Sequence, residues 1–187
     1  ILLKQIIDKK LSVYSCHAPL DYHTEVSTNR AIAKALSAKI ESEFLPFGNG
    51  FAGLIVSVPE ISTDDLVKKL QTIFSIPYVD FAGQKVDRIS KIGIVAGGGD
   101  EVEYSQECAE KGCQAYITGE IVSRHQSDWA KDNLKKVEAY AKSSDLSLIG
   151  VSHSASEYLV MKTLIPNWIA SRFDVSVVPL AQRSWWL

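Results

Sequence analysis

Apolar and polar positions along the chain alternate between the 3.6-residue spacing of helices and the shorter period of strands. Over residues 26–38, Ile32, Ala33, Ala35 and Leu36 fall on one helical face. Residues 51–58 form an apolar run after a Pro/Gly-rich turn at 46–50. The pattern predicts helices over 1–10, 26–38, 62–74, 101–111, 123–141 and 155–171, the last interrupted near Pro166, and strands over 12–16, 51–58, 78–82, 89–95, 115–118, 147–151 and 175–178.

This alternation predicts an α/β layered fold in which helices cover a sheet. Ligands in such folds gather where strand ends meet helix starts. With 187 residues, 46% of them hydrophobic, the chain is long enough for one domain or two small interlocked ones. It opens on Ile1 in a helical pattern already under way, so we expect that an upstream segment is missing.

Composition narrows the functional classes. A net charge of -2 without a long Lys/Arg run argues against nucleic acid or an anionic membrane as the main partner. The apolar runs are far shorter than the roughly 20 residues of a membrane span, and no signal peptide is evident, which favours a cytoplasmic protein. Cys16, Cys108 and Cys113 lack C-x-x-C spacing, so we expect reduced, partly buried thiols and neither a disulfide scaffold nor a zinc knuckle.

The same short phrase occurs twice, at residues 13–22 and 149–158. In each, a β-prone stretch leads to a histidine, then a carboxylate four residues later and a tyrosine: His17 and Asp21 in the first, His153 and Glu157 in the second. Imidazole and carboxylate are good ligands for first-row divalent cations. A single pair of this kind is usually a structural hydrogen bond, but two at predicted strand ends favour a site for one metal or two.

Other candidates lie at further strand ends. Glu120 and His125 follow the strand over 115–118, where a solvated helix N-terminus is an equally good interpretation. Gly97, Gly98 and Gly99 separate a strand from a helix, and their N–H groups could bind a phosphate or another anion. A tight turn that only glycine fits is the alternative, because the run lacks a P-loop lysine and dinucleotide-binding spacing.

Taken in order, these phrases resemble the NIF-three-like family of GTP cyclohydrolase 1 type 2 homologues, also called YbgI-like. The resemblance covers nearly the whole chain. It is carried by the early His-x-x-x-Asp phrase, Phe-Gly-Asn-Gly-Phe at 47–51, Val-Ala-Gly-Gly-Gly-Asp at 95–100, Tyr-Ile-Thr-Gly-Glu at 116–120 and Ser-His-Ser-Ala-Ser-Glu at 152–157. It implies a NIF-three-like fold of two similar intertwined α/β lobes, roughly 1–85 and 86–187, with helices on mixed sheets. It also implies a toroidal homo-hexamer with a dinuclear divalent-metal site.

The resemblance also assigns residues. Asp21 corresponds to a carboxylate that bridges the metals, His153 and Glu157 to further metal ligands, and His17 to a close neighbour of the site. Glu120 and His125 correspond to positions that line the cavity. The family's upstream His-His pair occurs nowhere in this chain, which fits a missing N-terminal segment.

Departures from the family pattern occur in both phrases. Ala18 and Pro19 replace the Thr-Asn of the early phrase, and Ser152 replaces a glycine in the late one. The apolar residues at 184–187 suggest packing against the chain's own core or a neighbouring subunit.

Two divalent ions, whether zinc, manganese, iron, cobalt or nickel, would lower the pKa of a shared water and support hydrolysis. His17, Glu120 or His125 would then act as general acid or base. The glycine run would suit a small-molecule, nucleotide-like substrate. The alternative is a metal-binding module without turnover that acts as an oligomeric scaffold or binds a regulatory partner. In a purely structural interpretation, both His/carboxylate pairs are ordinary hydrogen bonds.

Overall fold

The structure is a computed structural model that describes residues 1–123, 126–182 and 185. Helices and strands take turns along the chain, as the sequence pattern predicts. The helices are α1 (Leu2–Asp8), α2 (Ala18–Asp21), α3 (Thr28–Leu36), α4 (Thr63–Phe74), α5 (Val102–Glu110), α6 (Asp128–Ser143), α7 (His153–Thr163) and α8 (Ile165–Ala170). The strands are β1 (Lys39–Phe47), β2 (Gly50–Ile61), β3 (Asp80–Gly83), β4 (Ile89–Gly98), β5 (Ala115–Glu120) and β6 (Ser147–Gly150).

The strands form one mixed sheet in the order β1-β2-β4-β5-β6-β3. Its centre is parallel, because β5 pairs in parallel with β4 on one side and β6 on the other. The other pairings are antiparallel, and β3 closes the far edge beside β6. The carboxyl ends of β4, β5 and β6 therefore meet at one edge, where Gly98 lies opposite Glu120. The predicted α/β class with helices on a mixed sheet is confirmed, and strands from both sides of residue 85 share this sheet.

Alternating side chains of the central strands pack on opposite faces of the sheet, as the period of a strand requires. Val56 and Ile94 belong to a core that α3, α4 and α7 cover, whereas Ile55 and Val95 belong to a second core. That second core includes Cys108 from α5 and Val137 from α6. Helices thus cover both faces of the sheet, which leaves the carboxyl edge as the place for a site.

Serine side chains begin several helices. Ser62 accepts a hydrogen bond from the Asp65 N–H at the start of α4, as its position before the helix predicts. Ser27, Ser127 and Ser152 do the same for α3, α6 and α7. The start of α7 is thereby fixed at His153.

Two predicted strands were wrong. Residues 12–16 and 175–178 contain no strand, and Val13, Tyr14 and Val178 are exposed. Both segments have β-branched residues, but strand propensity forms no strand without a neighbour to pair with. Conversely, β1 was missed because its apolar and charged residues are mixed and only Phe44 is buried, as in an edge strand.

Several element boundaries differ by a few residues from the predicted ones, two of them in α6 and α7. α6 begins at Asp128 rather than at residue 123, and α7 begins at His153, ahead of the predicted start at 155.

The three cysteines are free, with Cys108 and Cys113 buried and Cys16 exposed. Within the described residues, no helix combines the length and apolar content that crossing a membrane requires.

Candidate functional site

The two histidine phrases meet at a cavity of about 300 Å³ beside the end of β4. The α2 region supplies one wall and the start of α7 another. Asp21 and Glu157 also line a smaller neighbouring cavity of about 110 Å³. The larger cavity is lined by His17, Asp21, Phe47, Ala52, Val95, Ala96, Gly97, Gly98, Tyr104, His153 and Glu157.

His153 lies between two carboxylates. Its Nε2 is 3.0 Å from Oε1 of Glu157, one helical turn along α7. Its Nδ1 is 3.6 Å from Oε2 of Glu120, the last residue of β5. Glu120, and after it Glu157, raises the pKa of His153 from 6.5 to about 10 against an opposing effect of burial. At neutral pH the imidazole is therefore a cation that links the end of β5 to the first turn of α7.

Asp21 ends the short helix α2 and is the second carboxylate of the cavity lining. Its Oδ1 accepts a hydrogen bond of 3.1 Å from the Thr28 hydroxyl at the start of α3. Burial raises the pKa of Asp21, and the Glu157 charge raises it further, while the Thr28 hydrogen bond and the charges of His17 and His153 lower it. Asp21 and Glu157 thus lie close enough to repel each other, as carboxylates that share a cation do.

The glycine run lies against the charged side chains of α7. Gly97 has φ +73°, and a Cβ there would lie 3.0 Å from Oε1 of Glu157 and 3.3 Å from Nε2 of His153. Its N–H donates to the Ser156 hydroxyl at 2.9 Å. These contacts show that Gly97 allows the end of β4 to pack closely against α7. Anion binding by Gly97, Gly98 and Gly99 stays a prediction. The Gly97 N–H already donates to Ser156, so this group is not free to bind an anion.

The sequence reasoning missed two buried asparagines near the site: Asn29, which bonds to the backbone of two residues of the cavity lining, and Asn133, which bonds to Asp100. Asn29 donates from Nδ2 to the Ala52 carbonyl and accepts at Oδ1 from the Ala96 N–H, each at 2.7 Å. Asn133 donates to the carbonyl oxygen of Asp100 at 2.8 Å and to its carboxylate at 3.2 Å. Burial raises the pKa of Asp100, and Glu120 raises it further. In the sequence, Asp100 was only the last residue of the Val-Ala-Gly-Gly-Gly-Asp phrase. Nothing in that phrase predicts that Asp100 is buried.

The remaining candidates fall in different places. His17 precedes α2 and lines both cavities. Glu120 adjoins the site through His153. The predicted acid or base His125 lies outside the described residues. Phe47 and Tyr104 line the larger cavity without having been predicted as site residues.

The donor types fit a divalent cation, because carboxylate oxygens and an imidazole face one cavity. In the observed arrangement, however, these side chains do not form a metal site. Among the described residues, no three His, Cys, Asp or Glu side chains lie close enough together to hold a metal ion. Both ring nitrogens of His153 face carboxylates, so a metal would have to replace its proton. Asp21, His153 and Glu157 are the side chains that would hold it.

Fold and site together define an α/β protein with a His/carboxylate cavity at the carboxyl edge of a mixed sheet. The chain belongs to the Duf34/NIF3 (NGG1p interacting factor 3) family, whose model matches residues 1–183. The resemblance to the NIF-three-like family is thereby confirmed.

Curated relatives carry the name GTP cyclohydrolase 1 type 2 homolog. The protein from Haemophilus influenzae is 26% identical over 178 residues, which are 94% of this chain and 64% of that protein. The one from Pyrococcus horikoshii is 28% identical over 181 residues, again 94% and 64%. The chain thus spans a little under two thirds of the length of these relatives.

Solved structures share the fold. The protein ybgI, described as of unknown function, superposes with a TM-score of 0.75 at 19% identity, over 98% of this chain and 66% of that one. The hypothetical protein SA1388 of Staphylococcus aureus gives a TM-score of 0.71 at 18% identity, over 98% of this chain and 69% of that one. At these identities the likeness establishes the fold alone.

Proposed function

We propose that the cavity binds divalent metal ions and that the protein is a metal-dependent hydrolase. The observation that carries this proposal is the convergence of Asp21, His153 and Glu157, from distant parts of the sequence, on one cavity. Counting Glu120, three carboxylates lie at this cavity with two imidazoles, those of His17 and His153. Such a surplus of carboxylates favours a cation.

The name of the curated relatives supports hydrolysis of a nucleotide-like compound. A bound metal ion would activate water and polarise the scissile group. Two ions, as expected from the family resemblance, would need more donors than Asp21, His153 and Glu157 supply. His17 lines the same cavity and could transfer a proton to or from a bound ligand. The cytoplasmic location expected from composition is part of this proposal.

Hydrolysis is tested by assaying the purified chain, loaded in turn with zinc, manganese, iron, cobalt or nickel, on a panel of nucleotides. We expect turnover that chelation abolishes and that Asp21→Asn lowers at least about a hundredfold, as loss of a metal-binding carboxylate does. The matched control is Glu110→Gln, an exposed carboxylate at the end of α5. Turnover that persists in Asp21→Asn, or that chelation leaves unchanged, would contradict the proposal.

A second candidate is a metal-binding scaffold without turnover, and the exposed apolar side chains near the chain start favour it. Leu2, Leu3 and Ile7 of α1 are each at least 65% exposed, which is more typical of a contact surface than of a free one. This candidate predicts metal binding, no hydrolysis across the panel, and self-association into homo-oligomers such as a hexamer. Leu3→Asp should then lower the molar mass measured by light scattering. An unchanged molar mass, or turnover that Asp21→Asn removes, would exclude it.

A further inference from the structure

The larger cavity is lined by two chemically different sets of side chains. The polar set, Asp21, His153 and Glu157, comes from α2 and α7, whereas the aromatic residues Phe47 and Tyr104 come from β1 and α5. No lysine or arginine is among the described residues that line it. The cationic His153 is already paired with Glu157 and Glu120, so the described side chains of the cavity offer little to a phosphate and more to a neutral or cationic planar group.

Phe47 presents a partly exposed ring at this cavity. It is the last residue of β1, and its side chain is 48% exposed although it is large and apolar. Its contact with Tyr22 is edge-to-face, with ring centroids 6.3 Å apart and planes at 61°. An edge-to-face neighbour covers at most one of the two faces of the Phe47 ring, and the 48% exposure of Phe47 leaves aromatic surface for a ligand.

The hairpin between β1 and β2 is shaped to hold that ring. Tyr22 packs on the turn, where a Cβ at Gly50 would lie 2.8 Å from the Cβ of Tyr22 and one at Gly48 3.4 Å from its ring. Gly48 also has φ +58°, a conformation that glycine adopts without strain. The glycines of the Phe-Gly-Asn-Gly-Phe phrase thus make room for Tyr22, whose ring contacts Phe47.

Tyr104 supplies a polar group to the same cavity. Its ring lies on α5 and is half-buried, and its hydroxyl makes no hydrogen bond to any described residue. Burial, followed by the charges of Glu101 and Asp100, raises the pKa of this phenol, so it stays protonated. A half-buried O–H at a cavity usually finds an acceptor, and here a bound ligand can provide one.

We propose that Phe47 and Tyr104 select the ring of the substrate: a planar nitrogen heterocycle that stacks on Phe47 and accepts a hydrogen bond from the Tyr104 hydroxyl. This inference rests on the proposed function, because it names the part of the substrate that the same cavity recognises. The ring, rather than the phosphate, is then the group that the protein's own side chains bind. A cavity of about 300 Å³ is at the small end of ligand sites, which suits one such ring system.

The test is calorimetric titration of the 187-residue chain in EDTA with the four common ribonucleosides, using ribose 5-phosphate and inorganic phosphate as ring-free probes. We expect at least one nucleoside to bind and neither ring-free probe to do so. Phe47→Ala should weaken nucleoside binding about tenfold, since it removes a stacking face. Tyr104→Phe should weaken it about fivefold, since it removes one hydrogen bond and keeps the ring. Phe81→Ala, a similarly exposed aromatic on β3, is the matched control and should bind as the unmodified chain does.

Three results would overturn the inference: no nucleoside binds, ribose 5-phosphate binds as tightly as the nucleosides, or Phe47→Ala binds them unchanged. Thermal melting of each variant shows whether a loss of binding reflects unfolding, and Phe47→Leu keeps apolar volume without the stacking face if alanine unfolds the hairpin. Metal content measured on the same preparations separates the two proposals. Metal binding without nucleoside binding refutes only the ring selection, and nucleoside binding without metal binding refutes only the metal-dependent function.

Discussion

Replacing Glu120 by glutamine should lower the pKa of His153 and the stability of the fold at neutral pH. Glu120 is the largest cause of the rise in the His153 pKa from 6.5 to about 10, and Glu157 is the next. Taken at face value, that rise corresponds to an upper bound of about 5 kcal/mol. The His153 side chain is 40% exposed, and solvent screening reduces the expected contribution to about 1–2 kcal/mol.

The sign of the pH dependence follows from the direction of the shift. The folded state binds the proton more tightly than the unfolded state, so this stabilisation is complete below about pH 6.5. It declines as the pH rises and is lost at about pH 10. Glu120→Gln should flatten that decline and lower the free energy of unfolding near pH 7 by about 1 kcal/mol. Glu157→Gln should also flatten the decline and lower the free energy of unfolding near pH 7, but each effect should be smaller.

The assay is urea unfolding in EDTA between pH 6 and 10, combined with a titration of the His153 ring protons by NMR. Glu110→Gln serves as control, because it removes an exposed carboxylate that lies outside the cavity lining. A His153 that titrates near 6.5 in the unmodified chain would refute the reasoning. So would a Glu120→Gln variant whose His153 pKa is unchanged.

Five further substitutions, two of them controls, test the packing of the glycine run, the core and a helix cap, with the free energy of unfolding as the measurement. Gly97→Ala should cost about 2–3 kcal/mol, because φ is +73° and the new Cβ would lie 3.0 Å from a site carboxylate. Gly112→Ala, at φ +78° with nothing within 4 Å, should cost only about 1 kcal/mol for the backbone. Ile94→Ala, at a fully buried position of β4, should cost about 2–5 kcal/mol, whereas Val13→Ala at an exposed position should cost under about 0.5 kcal/mol. Ser62→Ala should cost about 1 kcal/mol, because it removes the cap of α4.

Each of these substitutions has a contradicting outcome. If Gly97→Ala and Gly112→Ala lowered the free energy of unfolding equally, contact with α7 would not constrain the glycine run. A loss at Ile94 no larger than that at Val13 would contradict the central place of β4 in the core. An unchanged stability in Ser62→Ala would show that α4 begins without its side-chain cap.

The sequence predicted the parts of the fold that local chemistry determines. The helix over 62–74 carries its capping serine and periodic apolar residues in the sequence, and α4 follows that prediction closely. The edge strand β1 could not be predicted in the same way, because it has no clear apolar pattern of its own. It is a strand because it pairs with β2. The segments at 12–16 and 175–178 failed for the converse reason, since their β propensity finds no partner strand.

The candidate site was predictable only in its residue types and approximate place. Asp21, His153 and Glu157 were predicted from repeated spacing and from the resemblance, and the structure brings them to one cavity. The contact between His153 and Glu120 depends on the parallel pairing of β5 and β6, which spacing does not reveal. The support from Asn29 was likewise hidden, because its partners Ala52 and Ala96 are backbone groups of distant strands.

The central claim, that Asp21, His153 and Glu157 hold a divalent metal, is tested most directly by elemental analysis. The chain is stripped with chelator, reloaded with each candidate metal, desalted and measured for metal per chain beside Asp21→Asn, His153→Ala and Glu110→Gln. The account predicts at least about one metal ion per chain for the unmodified protein and Glu110→Gln, with a loss of tenfold or more in affinity for the two site variants. Metal content that is the same in all four proteins, or absent from all four, would contradict it.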